Sequence, residues 1–216
     1  MKREKLTAII ENIVHKGIDL APYRTATTKG SRDTNFRELL ESLDFIEFDG
    51  NILIRCSVEN LPLEYAKKAD VVYTELAWTP GFKFFHSEAE SEPTLTHKEY
   101  VIQSDLLVKK IGIPGYVVCQ PSVVKYMKNA ENVQDIELTA HKYVTKIVLY
   151  NGAYTIEKST KSLIKSLATQ HKCALDFSCG YGTSLLNFRN FVGADIDGKC
   201  LDYIRVYTEI KNRKGV

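Results

Sequence analysis

The spacing of hydrophobic positions changes twice along the chain. Leu6, Ile9, Ile10, Ile13 and Val14 recur at the spacing of one helix face, and Gly17 stands where that helix would stop. A polar stretch from Ala21 to Asp33 reads as a loop, and Phe36, Leu39, Leu40 and Leu43 then mark a second helix. From Asn51 the pattern becomes one of short, β-rich apolar runs separated by helical ones. Strands are predicted at Asn51 to Val58, Ala69 to Thr74, Gly115 to Gln120, Cys173 to Phe177 and Phe191 to Asp195, with two tightly joined strands between Ile136 and Tyr150. Helices are predicted at Leu61 to Lys68, His97 to Ile111, Pro121 to about Asn129, Thr160 to Gln170 and Gly198 to Lys211. Strand and helix alternate, and right-handed crossovers then require an α/β fold. Its sheet is mostly parallel with helices on both faces, and the Ile136 to Tyr150 pair forms an antiparallel edge. Residues 1–50 are read as a small N-terminal helical extension and 51–216 as the main domain.

Composition narrows this picture without redirecting it. A chain of 216 residues suits one core with small decorations, and 44% hydrophobic with 26% charged residues excludes a disordered or collagenous chain. No apolar run approaches the length of a membrane span, and the N-terminus leads into an amphipathic stretch without a signal region, so a cytoplasmic protein is expected. Five cysteines without CxxC spacing suggest reduced thiols, with neither a disulfide framework nor a metal site. The net charge is only +2, but Lys16, Arg24, Lys29, Arg32 and Arg37 face just two acids in the same stretch. Such a cluster is either a solvated surface or a phosphate-contacting one.

The strongest local signal is Leu175-Asp176-Phe177-Ser178-Cys179-Gly180-Tyr181-Gly182-Thr183, a strand running into a Gly-x-Gly turn that is expected to open a helix. Glycines there let a ligand approach the backbone, and exposed N–H groups at a helix start favour polar ligand atoms. The next strand ends in Gly193-Ala194-Asp195, where a sheet of this type holds a ribose by its hydroxyls. The dinucleotide fingerprint lacks its third glycine, since Leu185 occupies that place, so an NAD site is disfavoured.

The runs DFSCGYGT and FVGADID resemble the first two S-adenosylmethionine-binding motifs of the methyltransferases. Upstream, ADVVYTELAW from Ala69 to Trp78 is similar to the catalytic motif of the amino methyltransferases, a strand ending in an acidic residue, Asn or Ser, followed by Pro-Pro and an aromatic residue. Tyr154 to Ser159 is similar to a segment that precedes the cofactor strand in that family. Catalytic motif first and cofactor motif last is the circularly permuted order of the β-class DNA amino methyltransferases. The resemblance covers roughly Asn51 to Lys211 and implies a permuted, Rossmann-like methyltransferase sheet with S-adenosylmethionine as cofactor. It implies that Asp176, Ser178, Gly180, Tyr181 and Gly182 shape the methionine and sugar pocket and that Asp195 holds the ribose.

By the same resemblance, Glu75 positions an exocyclic amine, adenine N6 or cytosine N4, while Trp78 stacks on the base. Nucleic acid, DNA first, would be the partner, contacted by Lys16, Arg24, Lys29, Arg32 and Arg37. The motif departs from the family in three places: Glu75 adds a methylene, and Leu76 and Ala77 replace the prolines that fix φ. Thr79-Pro80-Gly81-Phe82 offers a second register. No separate target-recognition domain is visible, so recognition would fall to the N-terminal part, to Thr79 to Thr96, or to a partner subunit. Two other readings stay open: a small-molecule methyltransferase, and a catalytically silent subunit that binds cofactor or nucleic acid.

Overall fold

The computed structural model describes residues 2–16, 36–89, 91–138 and 143–215. Its helices are α1 (Lys2–Lys16), α2 (Leu63–Ala66), α3 (Thr79–Glu88), α4 (His97–Ile111), α5 (Thr160–Gln170) and α6 (Gly198–Lys214). Its strands are β1 (Phe45–Phe48), β2 (Asn51–Arg55), β3 (Val71–Glu75), β4 (Gly115–Cys119), β5 (Asn132–Leu138), β6 (Tyr143–Tyr150), β7 (Cys173–Asp176) and β8 (Asn190–Asp195). They form one eight-stranded sheet in the order β1-β2-β8-β7-β3-β4-β6-β5. The five strands from β2 to β4 in that order pair in parallel, β6 runs antiparallel between β4 and β5, and β1 closes the other edge antiparallel to β2.

Central strands of this kind are covered on both faces and so carry continuous apolar runs. Val71, Val72 and Tyr73 are fully buried, and all five residues of β4 are buried. Successive side chains feed two cores. One packs the sheet against α1, α5 and α6 through Leu6, Ile10, Leu163, Leu167, Leu201 and Ile204. The other packs it against α2, α3 and α4 through Ala66, Phe82, Tyr100, Val101 and Val108. The fold is therefore a Rossmann-like, mostly parallel α/β sandwich.

Counting from β7, the order β2-β8-β7-β3-β4 is the 3-2-1-4-5 order of a doubly wound sheet, and the chain enters it at the third strand. From β7 the chain winds one way to β8, and from β3 it winds the other way to β4. The switch point lies between β7 and β3, and ligands of such sheets bind outside the carboxyl ends of the strands there.

Several elements differ from the sequence-based expectation. Residues 45–48, assigned by their pattern to the N-terminal helical extension, form the edge strand β1. It is joined to β2 by a two-residue turn in which Asp49 and Gly50 both have positive φ, 48° and 76°. Asp-Gly is the preferred pair for such a hairpin turn, because both central residues must be left-handed. The predicted helix after Pro121 is a 3-10 segment, Pro121–Tyr126, and a helix absent from the prediction, α3, spans Thr79–Glu88. α4 falls where predicted, with a capping box between Thr96 and Glu99 and left-handed Gly112 at its end.

The N-terminal helix is docked, not trailing. The Asp202 carboxylate on α6 is fully buried and accepts from Arg3 Nη1 (3.0 and 3.1 Å), from Arg205 Nη2 (2.7 Å) and from the Glu41 amide (2.9 Å). Gly198 lies under the 36–43 segment, its carbonyl accepting from the Leu43 amide at 3.1 Å. A Cβ there would stand 2.6 Å from the Leu43 carbonyl oxygen and 2.8 Å from its nitrogen, backbone atoms that cannot swing aside. Gly198→Ala should therefore destabilise the protein by about 1–3 kcal/mol through overpacking, read as a lower urea midpoint at unchanged slope.

Candidate functional site

At the switch point the carboxyl end of β7 carries Asp176, whose burial requires hydrogen-bond donors. Its Oδ1 accepts from Thr74 Oγ1 on β3 (2.8 Å) and from the Ser178 amide (3.0 Å), and its Oδ2 accepts from Ser184 Oγ (2.7 Å). One carboxylate thus ties the Gly-x-Gly turn to both central strands. Burial pushes its pKa up to about 6, with Glu75 acting in the same direction and the three hydrogen bonds opposing.

Beyond Asp176 the backbone turns sharply, with φ +48° at Gly180 and +74° at Gly182. A side chain on Gly182 would also stand 2.7 Å from Ile204 Cγ1, so this position excludes one twice over. The turn does not open a helix as expected; only a 3-10 segment, Leu185–Asn187, follows. Its anchor is instead the carboxylate at the end of β8. Asp195 Oδ2 accepts from the Gly180 amide (2.7 Å) and Oδ1 from the Asp197 amide (3.0 Å). A cleft of about 340 Å³ opens at the carboxyl ends of β2 and β8, lined by Cys56, Ser57, His86, Thr94 and Ile196 among others. Burial, then the charges of Asp195 and Glu59, push the Cys56 thiol up to about 12, so it stays neutral.

On the other side of the switch point, Glu75 ends β3 half-buried, and its Oε1 accepts from the Tyr73 hydroxyl at 2.8 Å. Leu76 continues the pairing with β4 through its amide and the Val118 carbonyl (2.9 Å) and is buried. Trp78 caps the start of α3 and packs, partly buried, against the α1/α5/α6 core. In the second register, Phe82 is buried in the opposite core and belongs to α3. Glu75 to Trp78 and the Gly-x-Gly turn, a hundred residues apart in sequence, therefore meet at the switch point, where the Thr74–Asp176 hydrogen bond joins the ends of β3 and β7.

Two residues that the sequence motifs do not include join these halves. The Tyr100 hydroxyl pairs with Ser178 Oγ (2.5 Å) and accepts from the Ala77 amide (3.4 Å), and His97 Nε2 donates to the Ala77 carbonyl (2.8 Å). Their three-residue spacing on a helix is visible in the sequence, but what that helix face touches is not.

Of the five basic residues, Arg24, Lys29 and Arg32 lie outside the described residues, and Lys16 ends α1. Arg37 is committed to protein partners. Its Nη1 donates to Asp197 Oδ2 (2.7 Å) and to the Tyr181 hydroxyl (3.1 Å), its Nη2 donates to the Glu88 carbonyl (2.9 Å), and its side chain is 17% exposed. It draws the 36–43 segment, α3 and the β8–α6 loop together beside the crevice, and lines a second cavity of about 220 Å³. In the Tyr154 to Ser159 segment, the Tyr154 carbonyl accepts from the Tyr116 hydroxyl (3.0 Å), the Lys158 carbonyl accepts from the Glu137 amide (2.8 Å), and Ser159 caps α5. Among the described residues no cluster of three His, Cys, Asp or Glu could hold a metal, and no helix is long and apolar enough to cross a membrane.

No family model matches the sequence, and no curated protein matches it. Solved structures that are similar include the crystal structure of M1.HpyAVI, at 10% identity and a TM-score of 0.44, over 72% of this chain and 97% of that one. The crystal structure of the M1.HpyAVI–SAM complex aligns at 10% identity and a TM-score of 0.43, over 74% and 98%.

Asp176 yields a pH prediction. Its pKa in the fold, about 6, exceeds the ordinary carboxyl value, so between about pH 4 and pH 6 the folded state binds more protons than the unfolded one, and stability falls as pH rises through that window. Asp176→Asn removes this dependence. The unfolding free energy of the variant should gain on the parent by on the order of 3 kcal/mol between about pH 4 and pH 7. Urea titrations across that range that leave the difference constant would contradict the assignment.

Proposed function

We propose that the chain is an S-adenosylmethionine-dependent methyltransferase acting on an exocyclic amino group of a nucleic-acid base, adenine N6 or cytosine N4. The observation that carries this reading is the shared switch point: a glycine turn with a strand-end carboxylate on one side, and on the other the strand-end acid Glu75 followed closely by the aromatic Trp78. In the order β2-β8-β7-β3-β4, the strand preceding the acid comes earlier in the chain than the strand preceding the glycine turn, which agrees with the permuted arrangement of β-class amino methyltransferases.

The residues present fit the cofactor. The cleft of about 340 Å³ is of small-ligand size and begins at Ile196, one residue beyond Asp195, where Cys56, Ser57 and the charged Asp44, Arg55 and Glu92 also line it. Asp195 supplies an acceptor for ribose hydroxyls, and the acid-rich edge formed with Asp176 and Glu75 suits a ligand bearing positive charge better than a pyrophosphate. When bound, S-adenosylmethionine supplies a methyl group on a sulfonium, a group already primed to leave.

The protein's own task is alignment. Glu75 and a main-chain carbonyl near Leu76 would accept hydrogen bonds from the acceptor amine. The nitrogen lone pair, otherwise delocalised into the ring, would then localise as it attacks, and these bonds would strengthen towards the transition state. Trp78 would stack on the base, and a nucleic acid would meet Lys16, Arg24, Lys29 and Arg32, with recognition completed by a partner subunit. One observation favours the alternative of a silent subunit: the Glu75 carboxylate is already engaged by the Tyr73 hydroxyl.

Calorimetry should show binding of S-adenosylmethionine in preference to NAD, weakened by Asp195→Ala by roughly 1.5–3 kcal/mol, the scale of a charge-assisted hydrogen bond. Transfer of labelled methyl groups, with DNA, RNA and a metabolite extract offered in turn, identifies the acceptor. Glu75→Gln should lower single-turnover transfer by on the order of 100-fold while leaving cofactor affinity nearly unchanged. Cofactor binding without transfer to any acceptor would select the silent subunit.

A further inference from the structure

The loop after β3 lacks the two prolines that would make it rigid, yet both main-chain groups of its central residue are held. The Ala77 amide donates to the Tyr100 hydroxyl (3.4 Å), and the Ala77 carbonyl, which can only accept, fixes the proton of His97 on Nε2 (2.8 Å). Both side chains come from the first turns of α4, three residues apart and so on one face, in a turn secured by the Thr96–Glu99 capping box. The Tyr100 hydroxyl also pairs with Ser178 Oγ (2.5 Å) at the mouth of the glycine turn. Its ring lies 5.3 Å from that of Phe82, whose amide donates to the Trp78 carbonyl at 2.8 Å. Burial pushes the Tyr100 hydroxyl up to about 12, so the phenol keeps its proton across the physiological range.

We propose that Tyr100 and His97 are positioning residues that take over the role of the missing prolines. They clamp Leu76 to Trp78 and hold that loop in register with the Gly-x-Gly turn through Ser178. What this positions is the acceptor side of the crevice, and in that respect the proposal rests on the methyltransferase reading. The clamp itself is a property of the protein alone. It assigns α4, which contributes no residue to any of the motifs read from sequence, the task of aligning the two halves of the site.

Trp78 is the only tryptophan of the chain, so its fluorescence reports on this loop without interference. Acrylamide quenching of the full-length, ligand-free protein is compared among the parent, Tyr100→Phe, His97→Leu and His97→Gln. Removing one hydrogen bond should raise the population of the open loop by up to about tenfold, so quenching rises in Tyr100→Phe and in His97→Leu. His97→Gln, which retains an N–H donor, should return towards the parent. Parent-like quenching in both Tyr100→Phe and His97→Leu overturns the clamp. If Tyr100→Phe does not fold, the two His97 variants, at a half-buried side chain, decide the same question: a rise in His97→Leu that His97→Gln reverses supports the clamp, and parent-like quenching in both overturns it.

Calorimetry with S-adenosylmethionine on the parent keeps the two ideas apart. Absence of binding defeats the methyltransferase reading, while the quenching result still judges the clamp. Where the parent transfers methyl groups, Tyr100→Phe should lower kcat by on the order of 100-fold with the cofactor Kd within about twofold of the parent. Equal loss of both would make Tyr100 a support of the cofactor turn and overturn its role in the loop.

Discussion

A carboxylate removed from water at the end of a central strand must collect hydrogen bonds from whatever surrounds it, and in Asp176 this requirement organises the carboxyl edge of the sheet. Its partners come from β3, from the glycine turn and from the segment beyond that turn, so satisfying one buried charge fixes three pieces of backbone against each other. The turn can then place Gly180 where Asp195 accepts its amide, and Thr74 sets the end of β3 beside the same crevice. An apolar residue at 176 would leave Thr74 Oγ1, Ser184 Oγ and the Ser178 amide to find other partners.

The electrostatic character of the edge follows from this geometry. Asp176, Glu75, Asp195 and Asp197 lie at strand ends or just beyond them, and Arg37 meets this group from the 36–43 segment, paired with Asp197 and Tyr181. The thiols nearest the turn are held neutral: burial raises Cys179 and Cys200 well above their ordinary value, with neighbouring carboxylates adding to the effect. Such an edge carries hydrogen-bond acceptors and negative charge, and its thiols stay uncharged.

The two halves of the crevice are stabilised differently. The glycine-turn side is braced by carboxylates and by glycine backbone angles that sequence spacing predicts. The loop after β3 lacks stiffening prolines and takes its order from a helix whose other residues serve the core. A network of this kind, Ala77 to Tyr100 to Ser178, links main chain to side chain across elements that lie far apart in sequence. Its members gain strength together in a site partly screened from water.

Much of the fold is legible in the periodicity. Val71 to Tyr73 and Gly115 to Cys119 are continuous apolar runs because central parallel strands have no solvent face, and α4 is marked by its helical spacing and by Gly112. The glycine turn and Asp195 are legible for the same reason, since local backbone conformation and strand position are encoded within a few residues. The Asp49-Gly50 pair is a hairpin signal in its own right, but Phe45 to Phe48 is too short a run to mark a strand alone. The tertiary structure alone decided which distant residues meet. Arg37 belongs by spacing to a basic cluster but by contact to Asp197, Tyr181 and Glu88, because folding brings the 36–43 segment against the β8–α6 loop. His97 and Tyr100 are ordinary members of a helix face until the sheet order places Ala77 and Ser178 within reach. Sequence carries the local preferences of each segment; hydrogen bonds across a switch point depend on strand order, which no single segment contains.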